Sequence, residues 1–189
     1  MKKRNLYFLF LLVLFVQCVQ PTKEQSLEKS NPHLKLENGV LYFQEKAYYG
    51  SILSHYKEGT LASQITYVEG RKHGEEKKWH SNGVLAEERF YTDGVKTGIH
   101  KGWWDNKTPQ FEYHFNSQGQ YNGFHKEWYA SGQIYKDFNY VNGKEDGKQR
   151  LWKPDGRIKA NYEVVYGERY GLIGLKRCKT VNVNSNQIK

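Results

Sequence analysis

An all-β fold, an elongated and twisted antiparallel meander built from tandem 24-residue hairpins, is predicted for this chain by three observations. Glycines recur at a fixed spacing in two separate columns. Apolar and polar residues alternate with a period of two after each turn, and no segment beyond Cys18 carries a sustained 3.6-residue stripe. Aromatics are abundant, with 15 Tyr, 9 Phe and 5 Trp in 189 residues, and their large bodies with polar tips suit a thin sheet. The same aromatics exclude a disordered chain. Two Cys exclude a disulfide-stapled miniature fold, and a single apolar run excludes a polytopic membrane protein.

That apolar run comes first. Met1-Lys2-Lys3-Arg4 is basic, and residues 6–16 are eleven apolar residues, the pattern of an export signal. A spanning helix needs about 20. Phe15-Val16-Gln17-Cys18 resembles a bacterial lipobox, although Gln17 stands where that pattern prefers a small residue. The resemblance implies a signal peptide over 1–17 and an acylated Cys18, hence an exported lipoprotein of the cell envelope. A secretory signal cut elsewhere and an uncleaved short anchor are the other readings. Residues 18–37 are polar, with Pro21 and Pro32, and read as a flexible tether.

The repeat domain is expected over 38–176. Gly50, Gly74, Gly98, Gly123 and Gly147 are spaced by 24, 24, 25 and 24 residues, and Gly171 follows 24 later. Counting each of these as position one, position six reads His55, Trp79, Trp103, Trp128 and Trp152. Position ten reads Gly59, Gly83, Lys107, Gly132 and Gly156, and a second glycine closes each unit at Gly70, Gly94, Gly119, Gly143 and Gly167. Ladders in separate columns mark a repeat architecture. Ser81-Asn82-Gly83, Ala130-Ser131-Gly132 and Pro154-Asp155-Gly156 are turn signals. Ile158, Ala160, Tyr162 and Val164 alternate with Lys159, Asn161, Glu163 and Val165, as a half-buried strand does. Gly74, Gly83, Gly98, Gly123, Gly132, Gly147 and Gly156 are therefore read as the turns that define the repeat. The stretch from Tyr170 to Cys178 starts a sixth unit without its Trp and reads as a capping strand, and 177–189 as a polar tail.

The pattern Gly-x4-Trp-aromatic-x-x-Gly-x-Leu, carried by Gly123 to Ile134 and by Gly74 to Leu85 with His80 as the second aromatic, resembles the MORN-repeat variant family. The likeness extends over about 38–174. It implies an elongated hairpin sheet whose motif residues are structural. Bacterial members are often labelled YwqK-type antitoxins, which makes an antitoxin or immunity role one alternative.

Position four reads Leu53, Lys77, Lys101, Lys126 and Arg150, two residues before the Trp column and hence on the same face. Lys77, Lys101, Lys126 and Arg150 beside Trp79, Trp103, Trp128 and Trp152 form the candidate interaction face. Equal positions of successive hairpins lie about 10 Å apart, which suits a polymer or a protein edge. Seven His residues form no metal motif, and there is no nucleophile elbow or phosphate loop. No enzyme activity, cofactor or metal is expected. Removing residues 1–17 takes Lys2, Lys3 and Arg4 and lowers the formal charge from +9 to +6, spread among Glu residues, so nucleic acid is not the expected partner. With Cys18 acylated, Cys178 is left as the lone thiol. The reading is a non-enzymatic, lipid-anchored scaffold that binds an envelope protein. Envelope polysaccharide or lipid headgroups are the alternative ligands, and the sequence leaves the oligomeric state open.

Overall fold

The computed structural model describes residues 25–174, and every regular element there is a strand. Cys18, Cys178 and the signal segment lie outside the described residues. β1 (Gln25–Glu28) runs parallel to β5 (Gly50–His55), while β2 (Leu34–Glu37), β3 (Val40–Phe43) and β4 (Lys46–Ala47) form a small separate sheet. Residues 25–37 are thus not the tether expected of them. Leu27 and Leu34 pack against the buried Leu41, Tyr48 and Ile52, and the Tyr48 hydroxyl donates to the Gln25 carbonyl at 2.6 Å. Leu27 stands alone among polar residues, and the alternation of Leu34 and Leu36 with Lys35 and Glu37 is too short to separate a strand from a polar linker. Gly50 is what lets β1 dock, since a Cβ there would sit 2.0 Å from the Gln25 carbonyl oxygen.

The meander continues through β6 (Leu61–Val68), β7 (Arg71–Trp79), β8 (Leu85–Thr92), β9 (Val95–Trp103), β10 (Pro109–Phe115) and β11 (Tyr121–Trp128). It ends with β12 (Ile134–Val141), the two-residue β13 (Lys144–Glu145), β14 (Gly147–Trp152), β15 (Ile158–Val165) and β16 (Glu168–Leu172). From β5 onward neighbours in sequence are neighbours in the sheet, except that β13 and β14 share β12. β16 is the sixth-unit strand, and it is exposed along its whole length.

Two kinds of turn alternate. At the Trp end, a left-handed residue closes a short loop: Gly83 N–H donates to the His80 carbonyl at 2.9 Å and His80 N–H to the Val84 carbonyl at 2.8 Å. Lys107 takes the same left-handed place, so the missing glycine of the third unit does not change the turn. At the other end, Glu69-Gly70, Asp93-Gly94, Asn142-Gly143 and Tyr166-Gly167 have positive φ at both residues, the geometry of two-residue hairpin turns. The extra residue of the third unit is absorbed there, in a longer loop from Asn116 to Gln120.

Gly74, Gly98, Gly123 and Gly147 do not turn the chain. They lie in strands with positive φ, where the pairing register shifts. A second irregularity recurs beside the Trp column. Each return strand carries one extra residue there, at Ala62, Ala86, Gln110, Tyr135 and Lys159. Bulges of this kind increase strand twist, and repeating one per unit twists the whole array.

With a single main sheet, its inner face needs another cover. Long cations supply it: Lys72 lies over Tyr91 at 4.9 Å, Lys136 over Phe138 at 4.7 Å and Arg169 over Tyr162 at 5.3 Å. Their aliphatic stems shield rings while their charges stay near water. Buried apolar clusters form at both ends, around Leu41, Tyr48 and Ile52 and around Phe138, Ala160, Tyr162 and Val164.

Candidate functional site

The cation column and the Trp column meet on the outer face. A groove there is lined by Lys101, Trp103, Glu112 and Trp128, and the Arg150 guanidinium lies 5.8 Å from the Trp152 ring. The four tryptophans at position six are half-buried. The cations do not form an unbroken positive row. Cross-strand register interleaves them with carboxylates in the order Lys77, Glu88, Lys101, Glu112, Lys126, Asp137, Arg150. Arg150 reaches Asp137 at 3.0 Å, and Lys77 reaches Glu75 at 2.6 Å and Glu88 at 3.6 Å. Opposite charges directly across a ladder stabilise the pairing by tenths of a kcal/mol up to about 1 kcal/mol. The result is a surface of alternating sign with an indole beside each cation. Lys126 turns its ammonium 4.5 Å over Phe124, an exposed ring.

Position seven, the aromatic that follows Trp in the repeat motif, holds the units together. The Tyr56 hydroxyl donates to the Trp79 carbonyl at 2.7 Å, Trp104 Nε1 to the Trp128 carbonyl at 3.1 Å, and the Tyr129 hydroxyl to the Trp152 carbonyl at 3.2 Å. His80 Nε2 does the same for the Trp103 carbonyl at 2.9 Å. The departure at His80 is therefore a substitution of one donor for another. The fifth unit has Lys153 here, and the sixth unit has no Trp.

The sequence reading missed the inner face. Position three, two residues before the bulge pairing, is buried in each of the five full units: Ile52, Glu76, His100, His125 and Gln149 are each at most 5% exposed. In the last unit Gln149 imitates a peptide group. Its Oε1 accepts from Asn139 N–H at 3.2 Å and its Nε2 donates to the Asn139 carbonyl at 2.8 Å. His100 Nε2 bonds the Phe90 carbonyl, the same position of an earlier unit, at 2.9 Å. Both side chains fill the gap that the register shift opens in the ladder.

In the middle of the array the inner face is charged. Lys72 Nζ is 2.6 Å and Lys78 Nζ 3.8 Å from Glu76. Burial works to raise the Glu76 pKa, but the hydrogen bond from Lys72 and the two ammonium charges outweigh it and hold it below the ordinary 4.5. Glu127 is held low first by a hydrogen bond with His125, at 3.1 Å, and also by the charge of Lys136 at 3.5 Å. Burial lowers the His100 pKa below 6.5 and, with the nearby Glu127 charge, raises those of Tyr113 and Tyr121. Tyr113, Tyr121 and Tyr140 surround the His125 ring with centroids at 4.0, 4.6 and 5.5 Å. Among the described residues no three His, Cys, Asp or Glu side chains are grouped to hold a metal ion.

Residues 72–93, which span β7 and β8, match the MORN repeat variant family. The pairing and turn geometry of that hairpin recurs before and after it, so the chain is a repeat protein containing a MORN repeat variant. No curated protein matches the chain. Among solved structures it is similar, at 13% identity and a TM-score of 0.31, to a mutant of S. aureus TarM crystallised with Fondaparinux, alpha-GlcNAc-glycerol and UDP. That match covers 61% of this chain and 21% of the other.

Proposed function

We propose that this protein is an exported, lipid-anchored interaction protein of the bacterial cell envelope, without enzyme activity, that holds a protein partner along its outer face. The ladder of alternating charge with half-buried indoles carries this reading. Its cations are interleaved with Glu88, Glu112 and Asp137 in register. A uniform polyanion would meet repulsion at every second strand, whereas a protein surface of mixed sign can complement both signs. Trp and Arg are also enriched among the strong contact points of protein interfaces. The lipobox-like Phe15-Val16-Gln17-Cys18 supports the anchor.

The test is affinity purification of the natively anchored chain from detergent-solubilised envelopes, followed by mass spectrometry. One stoichiometric protein is expected, and it should be lost on charge reversal at Lys101→Glu, which sets three carboxylates in a row. Recovery of the bait alone would overturn the scaffold role. Metabolic labelling with a fatty acid should mark the wild type and not Cys18→Ser; equal labelling would remove the anchor from the proposal.

A further inference from the structure

The third and fourth units depart from the repeat together, at one place on the inner face. The bulge residue is Ala62 and Ala86 in the first two units, Gln110 and Tyr135 in the next two, and the long, solvent-exposed Lys159 in the fifth. Position seven is widest at Trp104. Position five is reduced to Gly102, and a Cβ there would lie 2.2 Å from Phe111 Cε1. The Phe111 ring therefore occupies the space of the missing side chain. It stacks on Tyr113 at 4.6 Å and 17°, with the Arg89 guanidinium 5.7 Å away.

These departures enclose a groove of about 250 Å³ lined by Trp104, Gln110, Phe111, Tyr113, Glu127 and Tyr135, with Trp128 and Tyr129 completing it. The walls are pre-set. Trp104 and Tyr129 are held by their bonds to the carbonyls of Trp128 and Trp152, and Tyr135 meets Tyr129 edge-on at 5.3 Å. None of the repeat contacts requires Gln110 or Tyr135 to be large, because alanine fills the same place in earlier units.

We propose that this groove is a saccharide subsite that takes one neutral pyranose ring of a glycan. Fixed aromatic faces match the apolar C–H face of such a ring. The Glu127 carboxylate, which His125, Lys136 and the Tyr113 hydroxyl leave with about one of its roughly four acceptor sites, and the Gln110 amide match its hydroxyls. Charge narrows the class further. His125 at 3.1 Å and Lys136 at 3.5 Å already answer the Glu127 charge. A cationic ligand would compete with Lys136 and meet Arg89, and an anionic one would meet Glu127. The size is below the roughly 300–1,000 Å³ of pockets for drug-sized ligands, which fits a single ring of a chain. This groove borders the outer one, sharing Phe111 and Trp128 with it, but includes none of the ladder's charged residues, and the inference does not depend on the proposed protein partner or on the anchor.

The test uses the full chain in a detergent without a sugar headgroup. Cellohexaose, chitohexaose and maltohexaose are titrated against it by calorimetry and tryptophan fluorescence. At least one should bind saturably and shift the emission. Tyr135→Ala, which restores the residue of the first two units, should weaken binding about tenfold at an unchanged Tm. Gly102→Ala should weaken it as well by lifting the Phe111 ring, and Trp79→Ala on the outer face should leave it intact. Three results would each overturn the proposal: no binding of any of the three glycans, binding undiminished in Tyr135→Ala, or the same fluorescence change produced by hexalysine in their place.

Discussion

The inner face of the array is apolar at its C-terminal end and charged in its middle, on one and the same backbone plan. Around β12 and β15 it carries Phe138, Ala160, Tyr162 and Val164, with Gln149 as a neutral amide at position three. Around β7, β9 and β11 the same column carries Glu76, His100 and His125, with Glu87, Arg89, Glu127 and Lys136 beside them. The turns, the register shifts and the bulges recur in both regions. Backbone hydrogen bonding and glycine conformation therefore carry the fold, and the inner side chains are left to vary. The C-terminal region is held mainly by area removed from water, and the middle by matched charges packed beside the buried rings of Tyr91 and Phe111.

Phe138→Ala should break the contrast most strongly. Phe138 is 7% exposed and touches Tyr162 edge-on at 6.1 Å. Removing a buried Phe costs about 3–5 kcal/mol in thick cores, and the lower end applies to a thin sheet. The measurement is urea unfolding with amide exchange. In a repeat array the loss should stay local, with β12 to β15 exchanging before β6 to β9. A loss below about 1 kcal/mol would mean that the C-terminal end has no core in this sense and is held by the same forces as the middle.

Glu76→Gln tests the charged half. The carboxylate is buried between Lys72 and Lys78, but Lys72 keeps 32% of its side chain in water and Lys78 41%. Breaking a fully buried pair costs about 3–5 kcal/mol, and this exposure reduces the expectation to about 1–2 kcal/mol. The same substitution should remove part of the salt sensitivity of unfolding. Phe138→Ala should leave that sensitivity unchanged.

The split between backbone plan and inner filling also decides what could be read in advance. The glycine ladders and the Trp column were legible because one residue type recurs wherever one backbone geometry or one packing role recurs. The bulges were not, since two alanines, Ala62 and Ala86, give way to Gln110, Tyr135 and Lys159, and only the register is common to all five. Position three was hidden for the same reason, as Ile52, Glu76, His100, His125 and Gln149 differ in every unit. Position seven was legible as an aromatic with His80 as its exception, but its role as a donor was not. Tyr56, His80, Trp104 and Tyr129 are unlike in size but all can donate a hydrogen bond. The carboxylates between the outer cations were visible as letters, but placing Glu88, Glu112 and Asp137 opposite Lys and Arg needed the strand register.

The smallest expected effect is a dependence on pH between neutrality and about pH 5 that sets the middle of the array apart. His100 is 2% exposed, lies between the rings of Tyr91 and Phe115, and has its pKa lowered from 6.5 chiefly by burial. Its unfolded form then binds the proton more readily than its folded form. Stability is full above about pH 6.5 and falls as pH drops through the interval down to the lowered folded value. Glu76 and Glu127 have folded pKa values below 4.5, so their contribution is present above about pH 4.5 and is lost as pH falls further. Denaturation midpoints measured at intervals from pH 8 to about pH 2 should therefore decline in two steps. His100→Gln should erase the upper step alone, because Gln149 already performs the same bond to the carbonyl at the equivalent place. An upper step that persists in His100→Gln would assign it to another group and remove this histidine from the comparison between the two regions.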